Sequence, residues 1–459
     1  MSTTNLKLAE RAPRIAVGDR RPVPGPRSQA IFAQEAGVMA PGLQSIALYS
    51  RLVVDHAHGC TIVDADGAEY LDFIAGIAVG SLGHGHPRYV EAMREQLGRA
   101  TFGSFSTENR AQFLQLLRGV LPEGLTHVQL FSGGAEAVEA AMRLAKSVTG
   151  KYEFVGFWGG YHGKSAGVAP FLGGTSRQNL GPGMPGIYMS PYPDCYRCPF
   201  GLEQPSCDMA CAEHLRSLIK ATTRHQLAAV LMEPMQGTAG NVIPPDDFMP
   251  AVKEIAHEFD ALLIADEVLV GFGRTGRMFA SEWSGTSPDV MTLGKGMGGG
   301  FPMSGVASSQ ATMSALPFGE PSGSSSSYGG NPLAATAGLA AVTAILEEAL
   351  VDNSARVGAA MLAELERMAE RRRVIGHVRG RGLLIGVDLV ADRATKEPLP
   401  KAICFALFEE CLKRGLISMC YGPRIRINPP LVITETEAMQ GLAILEEALV
   451  AVEQRFDLG

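Results

Sequence analysis

Four short, nearly continuous apolar runs constrain this chain more than any other feature: Val128 to Phe131, Leu227 to Met232, Ala261 to Ala265 and Val290 to Leu293. Strands built from such runs must be covered on both faces. Helical patterns lie between them, after Ser132-Gly133-Gly134 and over His214 to Thr222 and Phe248 to Glu258. Strands and helices in this alternation predict an α/β architecture, with a mainly parallel sheet carrying helices on both faces. Ligands of such sheets sit beyond the carboxyl ends of the strands. The polar residues just after apolar runs are therefore the first candidates: Gly134, Tyr161, Glu233 with Gln236, Asp266 and Lys295.

With 459 residues and 46% hydrophobic content, the chain can bury a large core. A net charge of −7 and the lack of a long basic run argue against a nucleic-acid partner. No stretch approaches the roughly 18 apolar residues of a membrane span. The N-terminus lacks an apolar signal region, so a cytoplasmic location and no membrane partner are expected.

Residues 1–40, rich in Pro, Arg and Gly, read as an arm, partly disordered. CTIVDADGAEYLDF alternates around an Asp-Gly pair and predicts a hairpin. His84 and His86 follow in a glycine-rich loop and are expected to pack that loop. GFWGGYHGKS ends like a nucleotide-binding loop, but Trp158 stands where that motif needs glycine. Cys195, Cys198, Cys207 and Cys211 form an insert whose spacing fits a zinc site or a local disulfide less well than free thiols. No metal is expected in the site, and the insert is expected to shape the mouth of its pocket. Toward the C-terminus a strand pattern begins after Gly380 and Gly382, and Arg424 and Arg426 lie two apart on another strand.

The chemistry rests on Asp266 and Lys295. Each ends an apolar run and is followed by a glycine-rich turn, over which a backbone can approach a ligand closely. A lysine that forms a Schiff base with an aldehyde, and a carboxylate that keeps a pyridinium nitrogen protonated, are the two groups pyridoxal 5′-phosphate requires. The Gly133-Gly134 turn into a helix supplies free N–H groups for a phosphate. Tyr161 and His162, between glycines, suit stacking on a flat ring.

Together these stretches resemble the class III pyridoxal-phosphate aminotransferases of fold type I. DFIAGIAVGSLGHGHP, SGGAEAVEAA, GGYHG, EPMQG, ADEVLVGFGRTG, TLGKGMGGG, SSYGGNPLA and RIRINPPL carry the likeness, over roughly residues 45–450. The resemblance implies a large cofactor domain over 91–345 and a smaller α/β domain built from 41–90 and 346–459. It makes Lys295 the Schiff-base lysine and Asp266 the pyridinium partner, with Tyr161 on one ring face and Val268 on the other. Gly134 and Ala135 would hold the phosphate, with His162 and Glu233 also about the cofactor. Ser327 would reach the phosphate across a homodimer interface, and Arg426 would bind a substrate carboxylate. Two positions depart from the family pattern: Leu269 replaces a usual Gln, and Thr238 a Glu that many members carry. The implied reaction moves an amino group from an amine to an α-keto acid, the amine being that of a diamine, an ω-amino acid or an amino sugar. Racemisation, epimerisation or elimination on the same scaffold is the alternative, and a non-catalytic binding protein ranks last.

Overall fold

The computed structural model describes residues 23–174 and 180–458. Its centre is a seven-stranded sheet. The strands lie in the order His127–Phe131, Ser304–Ser308, Val290–Gly294, Leu262–Asp266, Leu227–Met232, Glu153–Phe157 and Ile187–Ser190. Leu227–Met232 and Val290–Gly294 are buried along their whole length, which is why their sequences show no alternation. The four pairings from Val290–Gly294 outward to Ile187–Ser190 are parallel. Ser304–Ser308 runs antiparallel to both of its neighbours. This reversed strand, of sequence SGVAS, carries almost no apolar signal of its own.

Helices cover both faces of the sheet. Gly134–Thr149 turns Ala137, Val138, Ala141 and Leu144 inward, and they pack with Phe154, Ile264 and Val306. On the other face, Ala210–Thr222 and Phe248–Glu258 place Leu215, Ile219, Val252 and Ile255 with Val155, Val230 and Leu263. Burying a side chain of the Leu or Ile size contributes about 1.5–3 kcal/mol. The alternation of strand and helix thus builds a layered core without any single long hydrophobic segment.

Two smaller sheets flank this body. Val54–His58, Thr61–Asp64 and Glu69–Asp72 form an antiparallel meander, and Leu416–Ile417 joins its edge in parallel, so both ends of the chain share one sheet. The Asp-Gly hairpin is where the sequence places it. The third sheet pairs Ile375–Arg381, Leu384–Asp392, Glu397–Pro398 and Arg424–Ile427. His84 bonds Asp72 at 3.3 Å and His86 bonds Glu348 at 3.1 Å, so both histidines pack their loop.

One expectation falls largely outside the described residues and another needs correction. Residues 1–22 of the proposed arm lie outside the described residues, and its remainder contains a helix, Pro26–Ala36. The Asp66 carboxylate anchors the helix start by accepting from the Arg27 and Ser28 N–H groups, both at 2.8 Å. The strand expected only after Gly382 is the second half of a hairpin whose first half starts at Ile375. Its glycines misled because tertiary crowding selects them. A Cβ at Gly376 would stand 2.6 Å from the Tyr196 hydroxyl, and one at Gly380 2.8 Å from the Leu384 carbonyl oxygen.

Candidate active site

A cavity of about 480 Å³ opens beyond the carboxyl ends of the central strands. Lys295, Asp266, Glu233 and Val268 reach it from the ends of three adjacent strands, Gly134 and Ala135 from the start of a helix, and Tyr161 and His162 from the loop after Glu153–Phe157. The site residues scattered over 160 positions of sequence are thus brought to one place by the sheet order.

Strand alternation sorts the two neighbouring carboxylates. Asp266 faces the cavity and is 4% exposed. It accepts from His162 Nδ1 at 2.6 Å, from Thr292 Oγ1 at 2.9 Å and from the Val268 N–H at 3.1 Å. Glu267 points the other way, accepts from the Ala280 and Ser281 N–H groups, and holds the Ala280–Ser284 turn. Burial pushes the Glu267 carboxyl up to about 7. Thr292 escapes a reading based on motifs. It sits inside an apolar run, and only the strand register, which sets it opposite Asp266, reveals its role.

Lys295 is half-buried and carries a φ of +44°. A side chain bearing a Cβ adopts that left-handed conformation at a cost of about 1–2 kcal/mol, of the kind that concentrates at functional positions. Burial brings its ammonium down to about 8, against the pull of Asp266 and Glu233 and with help from Arg426 and Arg274. Burial also lifts Glu233 to about 7, and its two oxygens accept from the Tyr161 and Gly237 N–H groups at 3.1 and 3.2 Å. For His162 burial opposes the charged form. The hydrogen bond to Asp266 and the charges of Asp266 and Glu233 outweigh it, and its pKa is raised.

One stretch of the cavity wall is the start of a helix, whose positive end suits an anion. The Glu136 carboxylate accepts from the Ser132 and Gly133 N–H groups at 3.0 and 3.4 Å. Gly134 and Ala135 follow as the first helical residues, whose N–H groups have no partner within the helix. Glycine leaves room for Val268 here: a Cβ on Gly134 would meet Val268 Cγ1 at 3.2 Å, and one on Gly294 would meet the same atom at 3.1 Å. Val268 is therefore wedged between two glycine backbones, with its methyl groups on the cavity wall. Leu269 lies beside it, buried with Ala78, Met235 and Val270, and Thr238 completes that side.

Two candidates stand apart. Ser327 is exposed and away from the cavity wall. Arg426 is set back behind the wall, its guanidinium donating to Met419 Sδ at 3.1 Å and bonded to Tyr421, although its charge acts on Lys295. Gln236 is used structurally, donating to the Trp158 carbonyl at 2.9 Å. The four cysteines of the insert are free thiols, and among the described residues no group of three or more His, Cys, Asp or Glu is placed to hold a metal.

A half-buried amine, a buried carboxylate with three donors, a tyrosine and a pair of helix-start N–H groups fit a flat, phosphorylated aldehyde cofactor. Such a fold and cavity define a pyridoxal-phosphate enzyme. Residues 45–449 match the family model "Aminotransferase class-III", and the chain belongs to that family. Its cofactor is pyridoxal 5′-phosphate. A leucine/methionine racemase of Thermococcus litoralis is 34% identical over 414 residues, covering 88% of this chain and 92% of the relative. An acetylornithine aminotransferase of Methanosarcina mazei is 36% identical over 400 residues, covering 86% and 91%. Among solved structures, an amine transaminase from an uncultivated Pseudomonas species in its PLP-bound form is 31% identical with a TM-score of 0.83, covering 91% of this chain and 98% of that one.

Proposed function

We propose that the chain transfers an amino group from the terminal amine of a diamine, an ω-amino acid or an amino sugar to an α-keto acid, with Lys295 as the amine that carries the cofactor. The observation that carries this reading is that Lys295 and the buried Asp266 line one cavity. The name of the acetylornithine relative, whose substrate is a diamino acid acylated on one amine, supports the choice of donor class.

Pyridoxal phosphate, when bound, supplies an electron-withdrawing ring that stabilises negative charge on the substrate carbon. Asp266 would hold the proton on the ring nitrogen, and His162 and Thr292 keep its carboxylate oriented. Lys295, whose ammonium burial brings down to about 8, would move a proton from and to the substrate carbon. Gly134 and Ala135 would hold the phosphate and Tyr161 and Val268 the ring, while Glu233 fixes the Tyr161 backbone. Arg426 takes a substrate carboxylate.

A homodimer with sites at the interface belongs to this proposal. Phe102 and Phe105, 82% and 89% exposed, lie on a segment that Arg110 ties to the Tyr328–Gly330 turn next to exposed Ser327. An apolar patch of this kind calls for a partner surface. Eight cysteines, none of them paired, accord with a reducing cytoplasmic setting.

The racemase relative favours a second reading, in which Lys295 returns the proton to the opposite face of the carbon. One experiment separates the two. Purified holoenzyme is given 5-aminovalerate, acetylornithine or L-leucine, each with and without 2-oxoglutarate. Glutamate formation supports transamination; D-leucine formed without a keto acid supports racemisation and overturns the leading proposal.

A further inference from the structure

Thr238 on the cavity wall and Arg426 behind it come from distant parts of the chain, and one buried carboxylate ties their surroundings together. The Leu384–Asp392 and Arg424–Ile427 strands set Asp388 opposite Arg424 and Gly386 opposite Arg426. Residues two apart on a strand share a face. Against that face lies the 237–241 loop, packed so closely that a Cβ on Gly386 would stand 2.4 Å from the Gly240 carbonyl oxygen, and one on Gly240 2.8 Å from Arg424 Cδ.

Three successive carbonyls of this loop are held by two guanidiniums. Arg424 donates to Ala239 at 2.7 Å, and Arg379 donates to Gly240 at 2.6 Å and to Asn241 at 3.0 Å. Both arginines pair with Asp388, Arg424 at 3.4 Å and Arg379 in closer contact. The cysteine insert adds a third, Arg197, 3.3 Å from Asp388, and its Asp194 pairs with Arg424 at 2.8 Å. Asp388 is 1% exposed, so little solvent screens the charges gathered on it.

We propose that Asp388 is a positioning residue for the carboxylate end of the substrate. It fixes the two arginines that hold the loop carrying Thr238, and through Arg424 it fixes the strand that carries Arg426. The insert locks the arrangement through Asp194 and Arg197. This deepens the proposed carboxylate role of Arg426 and rests on it. Without the Asp388 charge, three guanidiniums repel one another, the loop carbonyls lose their donors' alignment, and Thr238 and Arg426 lose their mutual placement.

The test compares two reagents that attack the bound cofactor and differ by one carboxylate, aminooxyacetate and methoxyamine. The rate at which each removes the cofactor's visible absorption is measured on holoenzyme. Asp388→Asn is expected to slow aminooxyacetate by about 10- to 100-fold, the scale of a misplacement of about 1 Å, and to leave methoxyamine unchanged. Hydrogen exchange of the 237–241 amides is expected to quicken, and Asp388→Glu to restore part of the selectivity. Asp194→Asn, at the edge of the network, gives the same split at smaller size if Asp388→Asn fails to fold. Equal slowing of both reagents, or no slowing in either Asp variant, overturns the inference. Arg426→Ala separates the two levels: if it treats both reagents alike, the carboxylate reading of Arg426 fails first. If it splits them while the Asp variants do not, only the positioning role of Asp388 falls.

Discussion

Replacing Asp266 by Asn removes one negative charge and almost no volume. The Asn oxygen can still accept from Thr292 and Val268, but the side chain no longer offers His162 a charged acceptor at 2.6 Å. An opposite charge at such range shifts a pKa by about 1–3 units, and each unit is 1.36 kcal/mol. The lost stabilisation of a protonated partner is then about 1.4–4 kcal/mol, and the rate of the chemical step falls by about 10- to 1000-fold. Stability carries an independent signature. In the wild type the raised His162 pKa contributes stability that is full below the unfolded value near 6.5 and is lost as pH rises through the folded value. In the variant the Glu233 charge alone opposes burial, the folded pKa of His162 falls, and the stability gained below the unfolded value shrinks. The gap between the two proteins therefore widens on acidification. The assays are single-turnover kinetics with the preferred amine and denaturant midpoints at about pH 8 and 5.5. An unchanged rate constant, or a stability gap independent of pH, refutes the reasoning.

Glu267→Gln tests the sorting of the two carboxylates. It disturbs the acceptor of two buried N–H groups and is expected to cost about 1–3 kcal/mol in unfolding free energy, while the cofactor absorption and the turnover number stay at wild-type levels. Glu233→Gln probes the buried acid held at about 7. An acid with a raised folded pKa contributes stability below its unfolded value near 4.5, lost as pH rises through about 7, so the variant flattens that part of the stability–pH profile. Denaturation midpoints across that range check it.

Much of the sheet and its cavity was legible because several buried strands announce themselves as apolar runs and end in residues with chemistry to do. Leu227–Met232 and Phe248–Glu258 agree with the sequence reading to the residue. Ser304–Ser308 was not legible, since a strand of small residues between two others needs neither periodicity nor bulk. Glu153–Phe157 was hidden by its leading glutamate and Gly156, which gives way to the Phe171 ring: a Cβ there would stand 2.4 Å from Phe171 Cδ1. Within the site, the glycine turn, Lys295 and Asp266 could be read directly. Thr292 and the Asp388 network could not, because their roles depend on strand register and on contacts between segments some 190 residues apart, such as Arg197 with Asp388.

The central claim is that Lys295 carries the cofactor. Borohydride reduction of the purified holoenzyme, followed by proteolysis and mass spectrometry, tests it most directly. The reduced cofactor is predicted on the peptide that contains Lys295, and on no lysine peptide of Lys295→Ala. Label on a different lysine, or none in a protein that shows bound cofactor, contradicts it.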